Sequence, residues 1–480
     1  MALNLVKTRT VATIGPASCT AEVIRELIQE GVDIFRLNFA HGTHEWLDGV
    51  LQIIRDVAAE LEVPIGVLGD LSGPKIRLGE LPKGGIECHD QAVFRFGREP
   101  NPDERNWLTC TYEQLIDDVQ IGDRILLADG TVAMRVTEKQ PDVITCQVEQ
   151  PGRLRSRQGV NLPGVALSTP SLTEKDRDDL KWALESQLDF VGLSFVRAAK
   201  DVQELRAAID AHPSDHQPFI ISKIEKTEAV DDLTAILGVT DAIMVARGDL
   251  GVEADITQVP ALQKKIIALC NLHRVPVITA TQMLDSMQEN DLPTRAEATD
   301  VFNAVLDGTD AVMLSGETAI GDHPARCVRM MNQIAKNAEA MVKFVPQRDS
   351  ETNLSRQALP VTEAVAIGAV GAAEQLDAKL IVVATHSGRT AMAFSKQRCG
   401  TPIVALSDNV QTARRMCLFW GVTSLHSDAV TGGTQQLIER IEAWGKRQEI
   451  LTAGDRLVIV SRTDWSGQGH NMMVVHSIPT

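Results

Sequence analysis

Apolar residues along this chain gather in short β-branched runs, each followed by a stretch where they recur every three or four positions. The runs are TVATIGP (10–16), VDIFRLNF (32–39), PIGVLGDL (64–71), FVGLSFV (190–196), PFIISKIE (218–225), AIMVARGDLG (242–251), PVITATQM (276–283) and AVMLSGETA (311–319). AEVIRELIQEG (21–31) shows the helical half of the unit, with Val23, Ile24, Leu27 and Ile28 on one face and Gly31 closing it. Such alternation predicts parallel strands joined by crossover helices. Eight units predict a closed (β/α)8 TIM barrel, a count that an open sheet would share.

The alternation breaks between about residues 74 and 166. AVFRF, DRILLA, TVAMRVTE and VITCQVE alternate or are β-rich, and Gly, Pro and Asp turns separate them. This predicts a small all-β domain, a β-barrel, inserted after the third strand. Past about residue 346, QRDSETNLSRQ reads as a polar linker. A second α/β series follows: KLIVVATHSG (379–388), PIVALS (402–407), DRLVIVSR (455–462) and MMVVHSI (472–478). The expected division is therefore 1–73 with 167–345 as the barrel, 74–166 as the insert and 346–480 as a C-terminal α/β domain.

Composition narrows the function classes. A 480-residue chain that is 44% hydrophobic can bury a sizeable core and suits about three domains. No apolar run is long enough for a membrane span, and the N-terminus lacks a signal-peptide pattern. The eight cysteines include no CxxC pair, which fits reduced thiols in a cytoplasmic protein. A net charge of −17 opposes general nucleic-acid binding, so an anionic ligand needs local bases or backbone amides.

Barrels place their chemistry at the C-terminal ends of the strands. Polar residues there are Arg36, Asn38 and His41 after the second strand and Asp70 after the third. Lys223 and Glu225 follow on the fifth, then Arg247, Gly248 and Asp249 on the sixth. Thr279 and Thr281 mark the seventh, and Ser315 and Glu317 the eighth. Lys223 and Glu225 are two apart, so both face the barrel centre. With Asp249 they make two carboxylates and a lysine, a set that suits a hard divalent cation beside an anionic transferring group. The competing reading is a structural ion pair.

ISKIEK, MVARGDLGVE, ITATQMLDSM and PTRAEATDVFNAVLDGTDAVMLSGETA resemble the signature blocks of the pyruvate kinase family, as do FRLNFAHGTHE and GVNLPG. The blocks run in the family's order across the whole barrel. The resemblance implies phosphoryl transfer from phosphoenolpyruvate to ADP, a step that depends on positioning and charge neutralisation. It implies Glu225 and Asp249 as ligands of Mg2+, with Mn2+ as a substitute, and Lys223 as the catalytic cation. It places Arg36 on the phosphate and Gly248, Asp249 and Thr281 around the substrate. Thr281, Ser315 and a relayed water all stand as proton donors to the enolate. Asn38, His41 and Arg77 are expected at the nucleotide, under the insert acting as a lid. A homotetramer is implied as well.

Two departures from the family pattern stand out. Members that require K+ use an asparagine and a serine of an RxNFSH stretch, an aspartate and a carbonyl of the next residue. Here Asn38 and Asp70 remain, but the serine is Ala40, the next residue is Leu71 and the family's glutamate is Lys75. An ammonium matches K+ in size and charge, so Lys75 is expected to replace the ion and make K+ unnecessary. The second departure is Gln158, where the family often has a nucleotide-contacting lysine, between Arg155 and Arg157.

In the C-terminal domain, THSGRT supplies Thr385, Ser387, Gly388, Arg389 and Thr390 ahead of a helix. It resembles the family's effector loop and predicts a phosphate cradle. WSGQGHNMM (465–473) lacks a basic anchor, which favours a sugar monophosphate or AMP over a bisphosphate. Competing readings of the whole chain are an Mg2+-enolate aldolase or lyase of the same barrel superfamily, and a non-catalytic sugar-phosphate sensor.

Overall fold

The structure, a computed structural model, describes residues 6–165, 167–214, 216–341, 361–461 and 472–479. Eight parallel strands close into a barrel: β1 (Arg9–Thr13), β2 (Ile34–Asn38), β3 (Gly66–Asp70), β4 (Phe190–Leu193), β5 (Phe219–Ile224), β6 (Ala242–Ala246), β7 (Val277–Ala280) and β8 (Ala311–Leu314). Each pairs with its sequence neighbour, and β1 pairs with β8 to complete the ring. Most strand residues are buried because one face fills the lumen and the other meets the helices. The helix Ala21–Gln29 shows how the outer layer forms. Thr20 caps its N-terminus by accepting from the Val23 amide, and Ile24, Leu27 and Ile28 are buried against the sheet.

The sequence runs overshoot the last three strands. RGDLGVE after β6 is the helix Arg247–Glu253, and GETA after β8 is the helix Gly316–Ala319. Hydrophobicity continues past the strand end in both, whereas the backbone has already turned.

Between β3 and β4 the chain leaves the barrel. Val93–Gly97, Trp107–Leu108, Arg124–Leu127, Val132–Lys139, Val143–Gln150 and Val160–Asn161 form a six-stranded sheet, with Ile86–Cys88 and Gly152–Leu154 pairing beside it. Phe94, Phe96, Leu127, Met134 and Val148 form its separate core. The outgoing arm leaves the C-terminal end of β3, and Arg197, just past β4, holds the returning arm by donating to the carbonyls of Leu167 (2.7 Å) and Thr169 (3.0 Å), so the insert hangs over that mouth.

The C-terminal sheet contains β9 (Leu380–Ala384), β10 (Ile403–Ser407), β11 (Val422–His426), β12 (Arg456–Ser461) and β13 (Met472–Ser477). Its order is β11-β10-β9-β12-β13, parallel except for the β12/β13 pair. β11 went unread in the sequence because VTSLH mixes polar residues into an edge strand. The linker QRDSETNLSRQ, Arg462 and most of WSGQGHNMM lie outside the described residues.

This domain closes the barrel's N-terminal end. Met416, Leu418 and Phe419 belong to the same buried cluster as Val11, Ile34 and Phe190 of the barrel lumen. Arg9, at the start of β1, donates to the carbonyls of Phe419 (3.0 Å) and Val422 (2.6 Å). Lys396 and Arg398 reach across to Asp310, the residue before β8, at 2.7 and 2.9 Å. Asp310 also accepts from the amide of Val277 at the start of β7. Burial pulls the Lys396 ammonium below the usual lysine range, against the opposing pull of Asp310. Removing the carboxylate would leave the buried Lys396 and the partly exposed Arg398 without their counter-ion. Asp310→Ala is therefore expected to lower stability by about 3 kcal/mol, read as a lower calorimetric midpoint. A change under about 1 kcal/mol would show that this cluster does not hold the domains together.

A candidate active site at the C-terminal end of the barrel

Strand register brings the predicted charges together. Asn38 of β2, Asp70 of β3 and Gly192 of β4 stand side by side. A Cβ at Gly192 would approach Asp70 Oδ1 to 2.8 Å, so the small residue makes room for that carboxylate. Arg36 holds Asp70 Oδ2 through Nε (2.7 Å) and Nη2 (2.6 Å), while its Nη1 donates to Thr13 of β1 (3.1 Å). Lys223 Nζ lies 3.4 Å from Asp70 Oδ1, 3.0 Å from Glu225 Oε1 and 2.8 Å from Ser194 Oγ. Ser194 in turn donates to the Leu71 carbonyl at 2.6 Å. The lysine is thus aimed from three sides.

Burial shapes the charge states of this cluster. It pushes the Asp70 carboxyl up, but Lys223 and then Arg36 outweigh it and hold the group below the usual carboxylate range. It pulls Lys223 down, and Asp70 and Glu225 reverse that, leaving the ammonium firmly protonated. Glu225 goes the other way. Burial raises it and the Asp249 charge adds to the rise, more than Lys223 offsets.

That mutual repulsion bears on the cation. Glu225 Oε2 accepts from the Phe195 amide at 2.6 Å, at a residue forced to φ +55°. Asp249 sits in the first turn of the helix after β6 and lines the cleft beneath the insert. Among the described residues no group of three or more His, Cys, Asp or Glu side chains could hold a metal unaided. Two carboxylates are nonetheless what Mg2+ accepts when substrate oxygens and waters complete its octahedron. A divalent cation between them would also relieve the repulsion that raises Glu225. The residues present fit the ion.

On the opposite side, Gly248 N–H donates to Thr281 Oγ1 (2.8 Å), and that hydroxyl donates to the Ala280 carbonyl (2.7 Å). Thr281 and Gln282 both have positive φ, at 67° and 53°, a costly backbone for residues with side chains. Arg247 pins this turn. It donates to the carbonyls of Ala280 (3.2 Å) and Thr281 (2.7 Å) and pairs with Asp300 (2.6 Å). Glu317, buried and pushed up by that burial, accepts from the amides of Ser315 (2.7 Å) and Leu284 (3.0 Å). It braces the loops after β7 and β8.

Several predicted residues fall outside this contact network. His41 and Arg77 are exposed, on the β2 turn and the insert. Asn38 spends its Oδ1 on the Ala40 amide (3.1 Å). Lys75 is exposed and makes no ion pair with Asp70, whose cations are Arg36 and Lys223. It stands over Gly159 beside Asp129. Gln158 caps its own loop by accepting from the Arg155 amide (2.6 Å), and Arg157 pairs with Glu80 (2.7 Å).

Thr13, Ser194 and the Phe195 amide were missed. Each belongs to the end of β1 or β4, the two strands whose terminal polar residues went unread. In the C-terminal domain, Thr385 is buried and accepts from the Gly388 amide (3.0 Å), and Gly388 takes φ +81° ahead of the helix Arg389–Ser395. Thr390 is also buried, whereas Ser387 and Arg389 are exposed.

Residues 5–328 match the family model for the pyruvate kinase barrel domain, and 363–476 match that for the pyruvate kinase alpha/beta domain. A pyruvate kinase of Staphylococcus aureus is 40% identical over 477 residues, spanning 98% of this chain and 80% of the relative. A pyruvate kinase of Geobacillus stearothermophilus is 40% identical over 478 residues with the same coverage. The crystal structure of a pyruvate kinase from Cryptosporidium parvum superposes with a TM-score of 0.90 at 36% identity, covering 99% of this chain and 97% of that one. On barrel, insert, C-terminal sheet and clustered charges alike, the chain belongs to the pyruvate kinase family.

Proposed function

We propose that this enzyme carries out Mg2+-dependent phosphoryl transfer from phosphoenolpyruvate to ADP, giving pyruvate and ATP, without K+ and under control of a phosphorylated metabolite. The observation that carries the reaction is the contact set Arg36–Asp70–Lys223–Glu225, facing Gly248 and Thr281 across the barrel mouth. Mg2+ held by Glu225 and Asp249 would neutralise charge on the substrate's phosphoryl and carboxylate oxygens. Arg36 holds the phosphate, keeping Asp70 as its anchor. The P–O bond to the enol oxygen breaks as a β-phosphate oxygen of ADP takes the phosphorus. Lys223, permanently charged in this setting, meets the negative charge on the transferring group and then on the enolate oxygen. Gly248 N–H turns from Thr281 to the substrate carboxylate. The enolate carbon gains its proton from Thr281, Ser315 or a relayed water.

The same reading makes 1–73 with 167–345 the catalytic barrel, 74–166 a lid that excludes water and 346–480 the effector domain. Asn38, His41 and Arg77 face the nucleotide once the lid closes. Lys75 supplies positive potential near Asn38 and Asp70 in place of K+. Thr385, Ser387, Gly388, Arg389 and Thr390 bind a sugar monophosphate or AMP. The capped, left-handed turn at Gly388 and its buried threonines support that cradle. A homotetramer in the cytoplasm follows from the family likeness. No described helix is long and apolar enough to cross a membrane.

Purified enzyme with phosphoenolpyruvate, ADP and Mg2+ is expected to form pyruvate, and Lys223→Met to lower kcat by about 10³-fold with little change in KM. Wild-type kcat in that variant would remove Lys223 from the chemistry. Rates in K+-free buffer should equal those with K+. Activity confined to K+-containing buffer would end the role given to Lys75.

A further inference from the structure

The two cation carboxylates ride on different elements. Glu225 follows β5 directly, whereas Asp249 lies on the seven-residue helix Arg247–Glu253 after β6. Glu225 is held by Lys223 and Phe195. The Asp249 carboxylate has no hydrogen bond or ion pair among the described residues, so its place depends on how its helix is seated.

One buried contact sets that seat. Lys226, next to Glu225, lies 3.1 Å from Glu253 Oε1. The side chains are only 5% and 2% exposed, so this pair is shielded from water. Glu253 is four residues after Asp249 on the same short helix, hence on the same face. Asn161, on the arm by which the insert returns to the barrel, donates Nδ2 to the same Glu253 Oε1 (3.2 Å). Glu253 Oε2 is buried and has no hydrogen-bond partner. Lys226, Asn161, Asp249 and Glu253 all border one cleft between insert and barrel.

We propose that the Lys226–Glu253 pair is a positioning device that fixes the gap between Glu225 and Asp249, and that Asn161 ties the lid's return arm to it. The inference rests on the reading that those two carboxylates hold the divalent cation. One end of the pair is covalently adjacent to Glu225, and the other is one helical turn from Asp249. Removing it frees the helix to shift against β5, so Asp249 no longer meets a cation placed by Glu225. Lid movement pulls on the same carboxylate, which links closure to cation affinity.

Mn2+ binding to the full-length enzyme without substrates, followed by electron paramagnetic resonance, tests this apart from turnover. Glu253→Gln is expected to weaken Mn2+ binding about tenfold, the usual effect of losing a group that orients a metal ligand. Lys226→Arg should keep near-wild-type binding. Because Glu253→Gln leaves a buried lysine unpaired, the apolar pair Lys226→Met/Glu253→Met serves as the second variant. It should melt near the wild-type temperature yet bind Mn2+ as weakly as Glu253→Gln. Wild-type Mn2+ affinity in a folded double variant overturns the proposal. Asp249→Asn is the control. If it weakens Mn2+ while the pair variants do not, positioning alone is wrong; if it leaves Mn2+ binding unchanged, the cation reading fails and the proposal falls with it.

Discussion

Asp70 is the point on which the site turns. It is buried, negatively charged and gripped from both sides, by Arg36 through Oδ2 and by Lys223 near Oδ1. A lone carboxylate at that depth would protonate, and two lone cations would lose their charge or leave. Each makes the others affordable only while the barrel ring brings β2, β3 and β5 to one mouth. Arg36 and Lys223 against Asp70, Glu225 and Asp249 leave the mouth one charge negative, and a divalent cation there would turn that balance positive within a protein of net charge −17.

The division of labour among strand ends follows from this. β2, β3 and β5 supply fixed charges that neutralise. β6 and β7 supply backbone and hydroxyl groups held in a strained turn by Arg247. Charges on straight strands keep their positions, while the pinned turn presents one internal hydrogen bond, Gly248 N–H to Thr281 Oγ1, at the mouth. The insert completes the arrangement by covering the mouth without entering the ring.

Much of this was legible in the sequence, for physical reasons. Parallel strands buried on both faces read as continuous apolar runs, so all eight were visible, and polar residues interrupting their ends marked Arg36, Asp70, Lys223 and Glu225. Strand limits were less legible, because RGDLGVE stays partly apolar while its backbone coils. Ser194 and Thr13 were missed since a small hydroxyl residue at a strand end carries no charge signal. Phe195 acts through its amide, which no side chain announces. Asn38 and Lys75 show another limit: residue type names them, but it does not say that Asn38 accepts from the Ala40 amide or that Lys75 lies exposed, since a side chain's partners are set by packing. β11 stayed hidden because an edge strand needs no unbroken apolar run.

The Lys396–Arg398–Asp310 cluster has a mechanical meaning as well as an energetic one. Lys396 caps the helix that starts in the THSGRT loop, and Asp310 fastens the starts of β7 and β8. Those strands end, at the far side of the barrel, in the turns bearing Thr281 and Ser315. A loop on the C-terminal domain and a turn at the barrel mouth are therefore connected through a helix, one buried charge cluster and two strands. A single carboxylate thus serves as counter-ion to a helix end in one domain and as acceptor for a strand start in the other, so the two domains share one buried charge balance.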